Sequence, residues 1–280
     1  MDINGSTQLF FLLGDPIAQV QAPTLYNRLF ERHGVNAAVV PVRVSAAEMA
    51  TFAQSALKAG NVGGLLLTIP HKSGLMSLLA EVDRGGSMAD SVNAVRRLED
   101  GGLAGAQFDG VGLVGALRHF GHDPRGRRCL LVGAGGAGAA IAAALLDSAP
   151  AALAVRDLGD RAAQLVRRLA DPRASVHDGS LAGYDIVIHA TPLGLNRSDP
   201  LPIAVDDLDL HAVVVDILMK PSDTPLIDAC KRRGIVAYPG FEMLVQQVPS
   251  YLRFFGFARL AAEVGEDLCE VRQFVAGTHP

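Results

Sequence analysis

A glycine-rich turn between a short apolar run and an alanine-rich segment is the feature that most limits how this chain can fold. The turn carries Gly133, Gly135 and Gly138 in the order Gly-x-Gly-x-x-Gly, after an apolar run at residues 129–132. These flanks predict a buried strand before the turn and a helix after it. In that context the free N–H groups of the helix N-terminus can bind a pyrophosphate. Because the same glycines also suit a tight turn without a ligand, nucleotide binding is a hypothesis at this point.

The composition is that of an ordinary globular protein with a large core. The chain has 280 residues, of which 49% are hydrophobic and 19% are charged, and this length favours two domains. A net charge of −4 and a pI near 6.0 provide no basic field for nucleic acid or an anionic membrane surface. The apolar run at residues 9–13 is too short for a signal peptide or a membrane span. We therefore expect a small-molecule partner, with no nucleic acid and no membrane.

Cysteine usage gives a prediction about compartment and metal content. The three cysteines, Cys129, Cys230 and Cys269, are an odd number and widely spaced. This spacing indicates neither a disulfide framework nor a zinc site. The expected compartment is a reducing cytoplasm, and no metal site is expected.

Strand and helix patterns alternate along the first part of the chain. A helical pattern covers residues 24–33, and Ser45 followed by Glu48 has the spacing of a capping box, which predicts a helix beginning at Ser45. Apolar runs predict buried strands at residues 9–13, 39–44 and 63–68. This alternation predicts an α/β fold with a largely parallel sheet.

Polar residues that follow these strands are candidate site residues, because ligands of such sheets bind beyond the carboxyl ends of the strands. Lys72 follows the third strand, Asn93 precedes a predicted hairpin through residues 99–102, and Asp109 begins a predicted helix. Taken singly, Lys72 is typical of a solvated surface lysine and Asp109 of a helix N-cap. His71, beside Lys72, is interpreted as a turn or packing residue rather than a base.

The second half of the chain has the rhythm of a doubly wound fold. Asp157 lies 24 positions beyond Gly133, near the offset at which an acidic side chain binds an adenine ribose. Its neighbour Arg156 could instead meet a 2′-phosphate. From Phe241 onward the pattern is helical, with Leu244, Val248, Tyr251 and Leu252 on one face. Further strands are predicted at residues 151–155, 185–189, 212–217 and 234–238, and the turns at residues 190–194 and 239–240 are expected to face the nicotinamide half of a dinucleotide.

The order of motifs resembles the shikimate dehydrogenase family, which also contains quinate dehydrogenases, and the resemblance covers nearly the whole chain. It implies a two-domain α/β enzyme with its active site in the cleft between the domains. A substrate-binding domain would cover residues 1–108 and 242–280, with C-terminal helices returning to it, and a Rossmann domain would cover residues 109–241. The motifs are Gly14-Asp15-Pro16-Ile17, Thr68-Ile69-Pro70-His71-Lys72, Val92-Asn93, Asp109-Gly110-Val111-Gly112, Val132-Gly133-Ala134-Gly135-Gly136-Ala137-Gly138, Ala190-Thr191-Pro192, Thr224-Pro225-Leu226, and Met243-Leu244-Val245 with Gln247.

The resemblance implies an NAD(P)-dependent oxidoreductase that interconverts a cyclic polyol carboxylate and its ketone, of the shikimate or quinate type. Lys72 and Asp109 match the family's catalytic pair. Lys72 would hold the alcohol oxygen and relay its proton, and Asp109 would orient and stabilise the ammonium. Which of the two is formally the base stays open. Residues matching substrate hydroxyl contacts are Thr68, Asn93 and Gln247; those matching cofactor contacts are Gly133, Ala134, Gly135, Gly136, Ala137, Gly138, Arg156, Asp157, Ala190, Thr191, Pro192, Gly240 and Met243.

The chain departs from the family where the substrate carboxylate would bind. Val20 and Ala22 stand in place of two carboxylate-binding serines, and neither side chain can donate a hydrogen bond. Such donors contribute about 1.5–3 kcal/mol each. Either Gln19, Gln21, Arg43 or backbone amides hold the carboxylate, or the substrate is another cyclic hydroxy acid or an aminoshikimate-like compound. Further departures are Leu66, Gln107, Phe108 and Met219, which replace polar or aromatic residues of the family.

The cofactor and the assembly are also left with alternatives. Val155-Arg156-Asp157 stands where family members that use NADP have Asn-Arg-Thr. Because a carboxylate repels a 2′-phosphate and pairs with a ribose hydroxyl, we expect NAD, with NADP as the alternative. A non-catalytic dinucleotide-binding sensor is the rival function. The helices after Phe241 could support a homodimer.

Overall fold

The structure, a computed structural model, describes residues 2–177, 179–220 and 222–276. The chain divides into two compact units. The first unit comprises Met1–Phe108 with Gln247–Pro280, and the second comprises Asp109–Gln246. The second boundary of this division follows Gln246, inside a helix, and the resemblance implies a boundary after residue 241.

The first unit is built on a mixed six-stranded sheet of order β2-β1-β3-β5-β6-β4. The pairs β1/β2, β1/β3 and β4/β6 are parallel, and the pairs β3/β5 and β5/β6 are antiparallel. The predicted hairpin joins β5 to β6. The elements are β1 (Gln8–Gly14), α1 (Ala22–Arg32), β2 (Ala37–Arg43), α2 (Met49–Ala56), β3 (Val62–Leu67), β4 (Glu81–Val82), α3 (Arg84–Ala89), β5 (Ala94–Arg97) and β6 (Leu103–Ala106).

Two helices of the first unit test the sequence patterns. Helix α1 buries Leu25, Leu29 and Phe30, the face that the spacing predicts. Helix α2 begins at Met49, so the prediction of a start at Ser45 is wrong. The Ser45 hydroxyl donates to the Glu48 carboxylate at 2.9 Å, and the Glu48 side chain caps no backbone N–H group. The capping-box spacing is present, but its two side chains bond to each other.

The second unit contains a fully parallel sheet of order β12-β11-β10-β7-β8-β9, the order of a doubly wound dinucleotide-binding fold. The strand order reverses between β7 and β10, where such folds bind ligands. The short strand β9 was not predicted. The elements are α4 (Asp109–His119), β7 (Arg128–Val132), α5 (Gly136–Asp147), β8 (Ala152–Arg156), α6 (Arg161–Leu169), β9 (Ala174–Val176), β10 (Ile186–His189), β11 (Val213–Asp216), α7 (Pro225–Arg233) and β12 (Val236–Pro239).

The alanine-rich helix α5 packs closely within the second unit. A Cβ atom added at Gly110 of α4 would lie 2.2 Å from the carbonyl oxygen of Ala140, so only glycine permits this approach of the two helices. The strands β7 and β10 carry the core, in which Leu130 and Val187 are fully buried.

The C-terminal helices are α8 (Phe241–Phe254), α9 (Ala258–Glu266) and α10 (Cys269–Ala276). Helix α8 buries Val248, Tyr251 and Leu252, as its sequence pattern predicts. Within the described part of the chain, no helix combines the length and the apolar character needed to cross a membrane.

Candidate functional site

The turns that follow β1 and β3 lie side by side in the first unit, because these strands are parallel neighbours. A Cβ atom added at Gly14 would lie 2.6 Å from the methyl group of Thr68. The backbone N–H of Asp15 donates to the carbonyl oxygen of Ile69 at 3.1 Å. These contacts join the turn that leads to Val20 with the turn that carries Thr68 and Lys72.

Lys72 lies on a short 3-10 helix, His71–Ser73, whose backbone is held on both sides. The His71 imidazole is buried, with Nε2 2.8 Å from the carbonyl oxygen of Val44. The carbonyl oxygen of Lys72 accepts a hydrogen bond from Val92 N–H at 2.8 Å. His71 is therefore a packing residue of the turn, and the bond to Val92 places the Lys72 backbone next to Asn93.

A buried pair of amides, Asn93 and Gln247, lies beside this turn. Asn93 Oδ1 accepts from Phe108 N–H at 3.0 Å, and Asn93 Nδ2 lies 3.4 Å from Gln247 Oε1. The Tyr251 hydroxyl donates to the Asn93 carbonyl oxygen at 3.2 Å. Tyr251 was predicted only as an apolar position, because a helical pattern does not show where a phenol hydroxyl ends. In the first unit, the Lys72 backbone thus lies beside Asn93, whose side chain contacts Gln247.

Val20 and Ala22, which lie where the resemblance implies binding of the substrate carboxylate, are both apolar and half-buried. Val20 closes a turn through its N–H bond to the Ile17 carbonyl, and Ala22 is the first residue of α1. Arg43 pairs with Asp15, with 2.7 Å between Nε and Oδ1. The Gln19 amide donates to the carbonyl oxygen of Pro16 at 3.0 Å. Two of the three side chains considered for the substrate carboxylate therefore have partners close by in the chain or sheet.

The glycine turn of the second unit has the shape that close approach of a ligand requires. Gly133 has a φ of 115°, and a Cβ atom there would lie 2.5 Å from the Ala190 carbonyl oxygen. A Cβ atom at Gly138 would lie 2.0 Å from the Gly133 carbonyl oxygen. Gly135, by contrast, is exposed with open space around it. Because α5 begins here, the turn fits a dinucleotide pyrophosphate at the helix N-terminus.

Asp157, directly after β8, is joined to this turn. Its Oδ2 accepts a hydrogen bond from Ala134 N–H at 2.6 Å, and its Oδ1 accepts from Leu158 N–H at 2.6 Å. Arg156 is exposed beside it. The structure therefore brings together the predicted pyrophosphate turn and the predicted ribose carboxylate.

The remaining predicted residues of the second unit lie at strand ends and helix starts. Asp109 is buried and is the first residue of α4, within the helix rather than before it. Gly240 follows β12, where a Cβ atom would lie 2.3 Å from the Ile217 carbonyl oxygen. Met243 is buried in α8. Lys72 belongs to the first unit and Asp109 to the second.

A polar network at the ends of β10 and β11, buried except at Thr191, is not predicted from the sequence. It joins Thr191, His189, Asp216 and Thr224, and Thr224 caps the N-terminus of α7. The available signal is a polar residue at the end of an apolar parallel strand: the predicted strand 185–189 ends at His189. Among the described residues, no three His, Cys, Asp or Glu side chains are grouped to hold a metal ion.

Comparisons with known proteins bear on both units. The family model described as "Shikimate dehydrogenase substrate binding domain" matches residues 12–95. The chain is 35% identical over 254 residues to the shikimate dehydrogenase (NADP(+)) of Rubrobacter xylanophilus, which covers 88% of this chain and 89% of the relative.

Solved structures show the same fold. Shikimate 5-dehydrogenase from Listeria monocytogenes, in complex with shikimate and NAD, superimposes with a TM-score of 0.81 at 24% identity, covering 94% of this chain and 98% of that one. The ligand-free 5-ketofructose reductase of Gluconobacter sp. strain CHM43 superimposes with a TM-score of 0.78 at 24% identity, covering 93% and 100%.

Proposed function

We propose that this chain, which belongs to the shikimate dehydrogenase family, interconverts a cyclic polyol carboxylate and its ketone, of the shikimate or quinate type, with NAD(P). One observation carries the proposal: the similarity to the Rubrobacter xylanophilus relative covers 88% of the chain. It therefore includes both the unit that contains Lys72 and the unit that contains the glycine turn.

We assign the proton transfer to Lys72. A bound nicotinamide supplies hydride acceptance or donation at the substrate carbon. Oxidation of the alcohol also requires that a proton leave its oxygen, and an amine held at the end of β3 is suited to receive it. In the reverse direction the same group returns the proton to the ketone oxygen. Asp109 is the carboxylate that accepts a hydrogen bond from a substrate hydroxyl and balances the positive charge of the Lys72 ammonium.

We assign substrate orientation to the amides and the hydroxyl of the first unit. Asn93 and Gln247 are buried and lie within hydrogen-bonding distance of each other, and Thr68 is half-buried at the end of β3. Amides both donate and accept, which matches a ring that carries several hydroxyl groups. These residues support recognition of the polyol part of the substrate.

NAD is the proposed cofactor, with NADP as the alternative. Asp157 accepts hydrogen bonds from the N–H groups of Ala134, in the glycine turn, and of Leu158. Its negative charge disfavours a 2′-phosphate nearby. Arg156 is the residue that would favour NADP.

A second candidate is a dehydrogenase for a different cyclic hydroxy acid or an aminoshikimate-like compound. Val20 and Ala22 favour it, because both are apolar and half-buried where the family binds a carboxylate. Each missing donor to a charged group costs about 1.5–3 kcal/mol of binding free energy.

The test is the purified protein with NAD⁺ and NADP⁺ against shikimate, quinate, other cyclic hydroxy acids and aminoshikimate, following the absorbance of the reduced dinucleotide. Turnover of shikimate or quinate supports the proposal, and preference for another ring supports the second candidate. Dinucleotide binding without turnover of any compound would favour a sensor.

The three free cysteines support a cytoplasmic location, and a homodimer through the helices after Phe241 stays a prediction.

A further inference from the structure

The imidazole of His189, the last residue of β10, is fully buried and bonded on both sides. Its Nδ1 lies 3.0 Å from Asp216 Oδ1, and its Nε2 lies 2.5 Å from the Thr191 hydroxyl oxygen. His189 and Asp216 are direct neighbours across the β10/β11 ladder, and neither is exposed. The ring therefore links the interior of the sheet to the turn that follows β10.

Asp216 determines which ring nitrogen of His189 carries the proton. Its Oδ2 accepts from the Thr224 hydroxyl at 2.5 Å, and its Oδ1 also accepts from Leu218 N–H at 3.1 Å. An ionised carboxylate can only accept hydrogen bonds, so Nδ1 of His189 must be the donor. The neutral ring therefore presents a lone pair at Nε2, and the Thr191 hydroxyl donates its proton to it.

Among the described residues, the Thr191 hydroxyl has one further hydrogen-bond partner. Its oxygen accepts from Leu193 N–H at 3.2 Å. A hydroxyl has one proton and two lone pairs. When His189 is neutral, Thr191 uses its proton inward and keeps one lone pair for a ligand. When His189 is protonated, Nε2–H occupies that lone pair and the hydroxyl proton becomes available instead.

Thr191 lies against the glycine turn. A Cβ atom added at Gly133 would lie 3.0 Å from the Thr191 methyl group. Unlike His189, Thr191 is half-buried, so a ligand at the turn can reach it. The buried network thus ends on a hydroxyl beside the proposed dinucleotide site.

We propose that His189 is a positioning residue whose protonation state sets whether the Thr191 hydroxyl accepts or donates a hydrogen bond toward the dinucleotide. This inference rests on the proposed function, because the ligand is the nicotinamide dinucleotide. In the neutral state Thr191 accepts from an N–H donor such as the nicotinamide carboxamide. Protonation of His189 turns that acceptor into a donor, which then faces the N–H groups of a carboxamide held in the same orientation, so we expect the dinucleotide to bind more weakly at low pH.

Asp216 faces His189 from β11, and the β7 neighbour is the uncharged Val132. On α7, burial and then Asp216 raise the pKa of the Cys230 thiol to about 11, so the thiol is uncharged at neutral pH. An imidazole is the side-chain type of this network that can exist as a neutral ring or as a cation near neutral pH, and the inference concerns the charge of this ring.

The experiment measures the Kd of NAD⁺ by calorimetry from pH 5.5 to 8.5, with ¹⁵N NMR of the histidine rings in the free protein. We expect an Nδ1–H tautomer at pH 8.5 and a Kd about five- to tenfold higher at pH 5.5, the size of one hydrogen bond. In His189→Asn the amide replaces Nδ1 beside Asp216 but does not titrate, so the pH response should disappear. His211→Asn removes an exposed imidazole of the same unit and should keep the response.

Thr191→Val gives a second test that leaves the buried ring in place. It removes the hydroxyl, and its Kd should not change with pH even if His189→Asn folds poorly. Four results would overturn this inference and leave the proposed function standing. They are a His189 ring that stays neutral at every pH, an Nε2–H tautomer, tighter binding at low pH, and a pH response retained in Thr191→Val. Absence of NAD⁺ and NADP⁺ binding at every pH overturns the proposed function and the inference with it.

Discussion

The carboxylate of Asp157 accepts a hydrogen bond from the backbone N–H of Ala134, with 2.6 Å between Oδ2 and the nitrogen. The bond links the end of β8 to the glycine turn after β7. One side chain therefore holds the turn and also fixes a negative charge beside it. These two effects can be separated by substitution.

Asp157→Asn should change the dinucleotide preference while keeping the turn. The asparagine oxygen can still accept from Ala134 N–H, whereas the amide nitrogen cannot accept from Leu158 N–H. The negative charge that disfavours a 2′-phosphate is gone. We expect the Kd of NADP⁺ to fall about tenfold and that of NAD⁺ to rise less than fivefold, measured by calorimetry. Asp157→Ala also loses the bond to Ala134, and should weaken NAD⁺ more than NADP⁺. Equal changes for both dinucleotides would refute the ribose assignment.

Lys72→Ala should lower kcat by about a hundredfold to ten-thousandfold, the usual contribution of a proton-transfer group. The Kd of NAD⁺ should stay within about twofold, because Lys72 lies in the first unit and the glycine turn in the second. Lys58→Ala removes an exposed lysine of the first unit and serves as the control. Steady-state rates and calorimetry check the two expectations. A near-normal rate in Lys72→Ala would remove this residue from the mechanism.

The alternation of elements could be predicted from sequence because apolar runs and glycine stops are local signals. Most of the predicted strands of both units lie within one or two residues of the observed ones. Strand β9 was missed because its three residues are partly exposed and carry no apolar run. The start of α2 was mistaken because the same Ser-x-x-Glu spacing allows Ser45 and Glu48 to bond to each other.

The site could be predicted only where one motif carries it. Asp157 and the glycine turn lie in one βαβ segment, so their spacing predicts their proximity. The Asn93–Gln247 pair and the His189–Asp216 pair join residues far apart in the chain, and no periodicity brings them together. The family resemblance supplied Asn93 and Gln247 as site residues. It did not supply His189, which became informative only when both of its ring nitrogens were found to be bonded.

Replacing Val20 and Ala22 by serine should restore hydroxyl donors to the region where the family binds a carboxylate. Both positions are half-buried, and Ala22 begins α1, where serine is tolerated. If the substrate is shikimate or quinate, kcat/KM should rise about tenfold or more, since a hydrogen bond to a charged group contributes about 1.5–3 kcal/mol. Steady-state kinetics on both acids measures this. Unchanged kinetics would favour the second candidate substrate class.

Cysteine labelling should distinguish the three thiols. Burial, and secondarily Asp185, raises the pKa of Cys129 to about 12, and burial raises that of Cys230 to about 11. Iodoacetamide at pH 8 should therefore label only the exposed Cys269 in the folded protein, because the thiolate is the reactive form.

Asp267 should slow the labelling of Cys269. Its hydrogen bond to the Cys269 thiol raises the pKa of that thiol. Asp267→Asn should lower the pKa and speed labelling at pH 8, and Cys269→Ser should abolish it. Mass spectrometry gives the rates and positions. Labelling of Cys129 in the native protein would contradict the burial argument.

Gly138→Ala and Gly135→Ala should separate the folding and binding roles of the glycine turn. A Cβ atom at Gly138 would lie 2.0 Å from the Gly133 carbonyl oxygen, so the backbone must move, at a cost of about 1–3 kcal/mol. At this chain length that cost lowers Tm by several degrees.

Gly135 has a φ of −74° and open space around it, so alanine there should lower Tm much less. Its methyl group would nevertheless occupy the surface that a pyrophosphate approaches, and the Kd of NAD⁺ should rise at least tenfold. Scanning calorimetry and titration calorimetry on both variants measure the two effects. If Gly135→Ala binds NAD⁺ normally, the pyrophosphate does not lie at this turn.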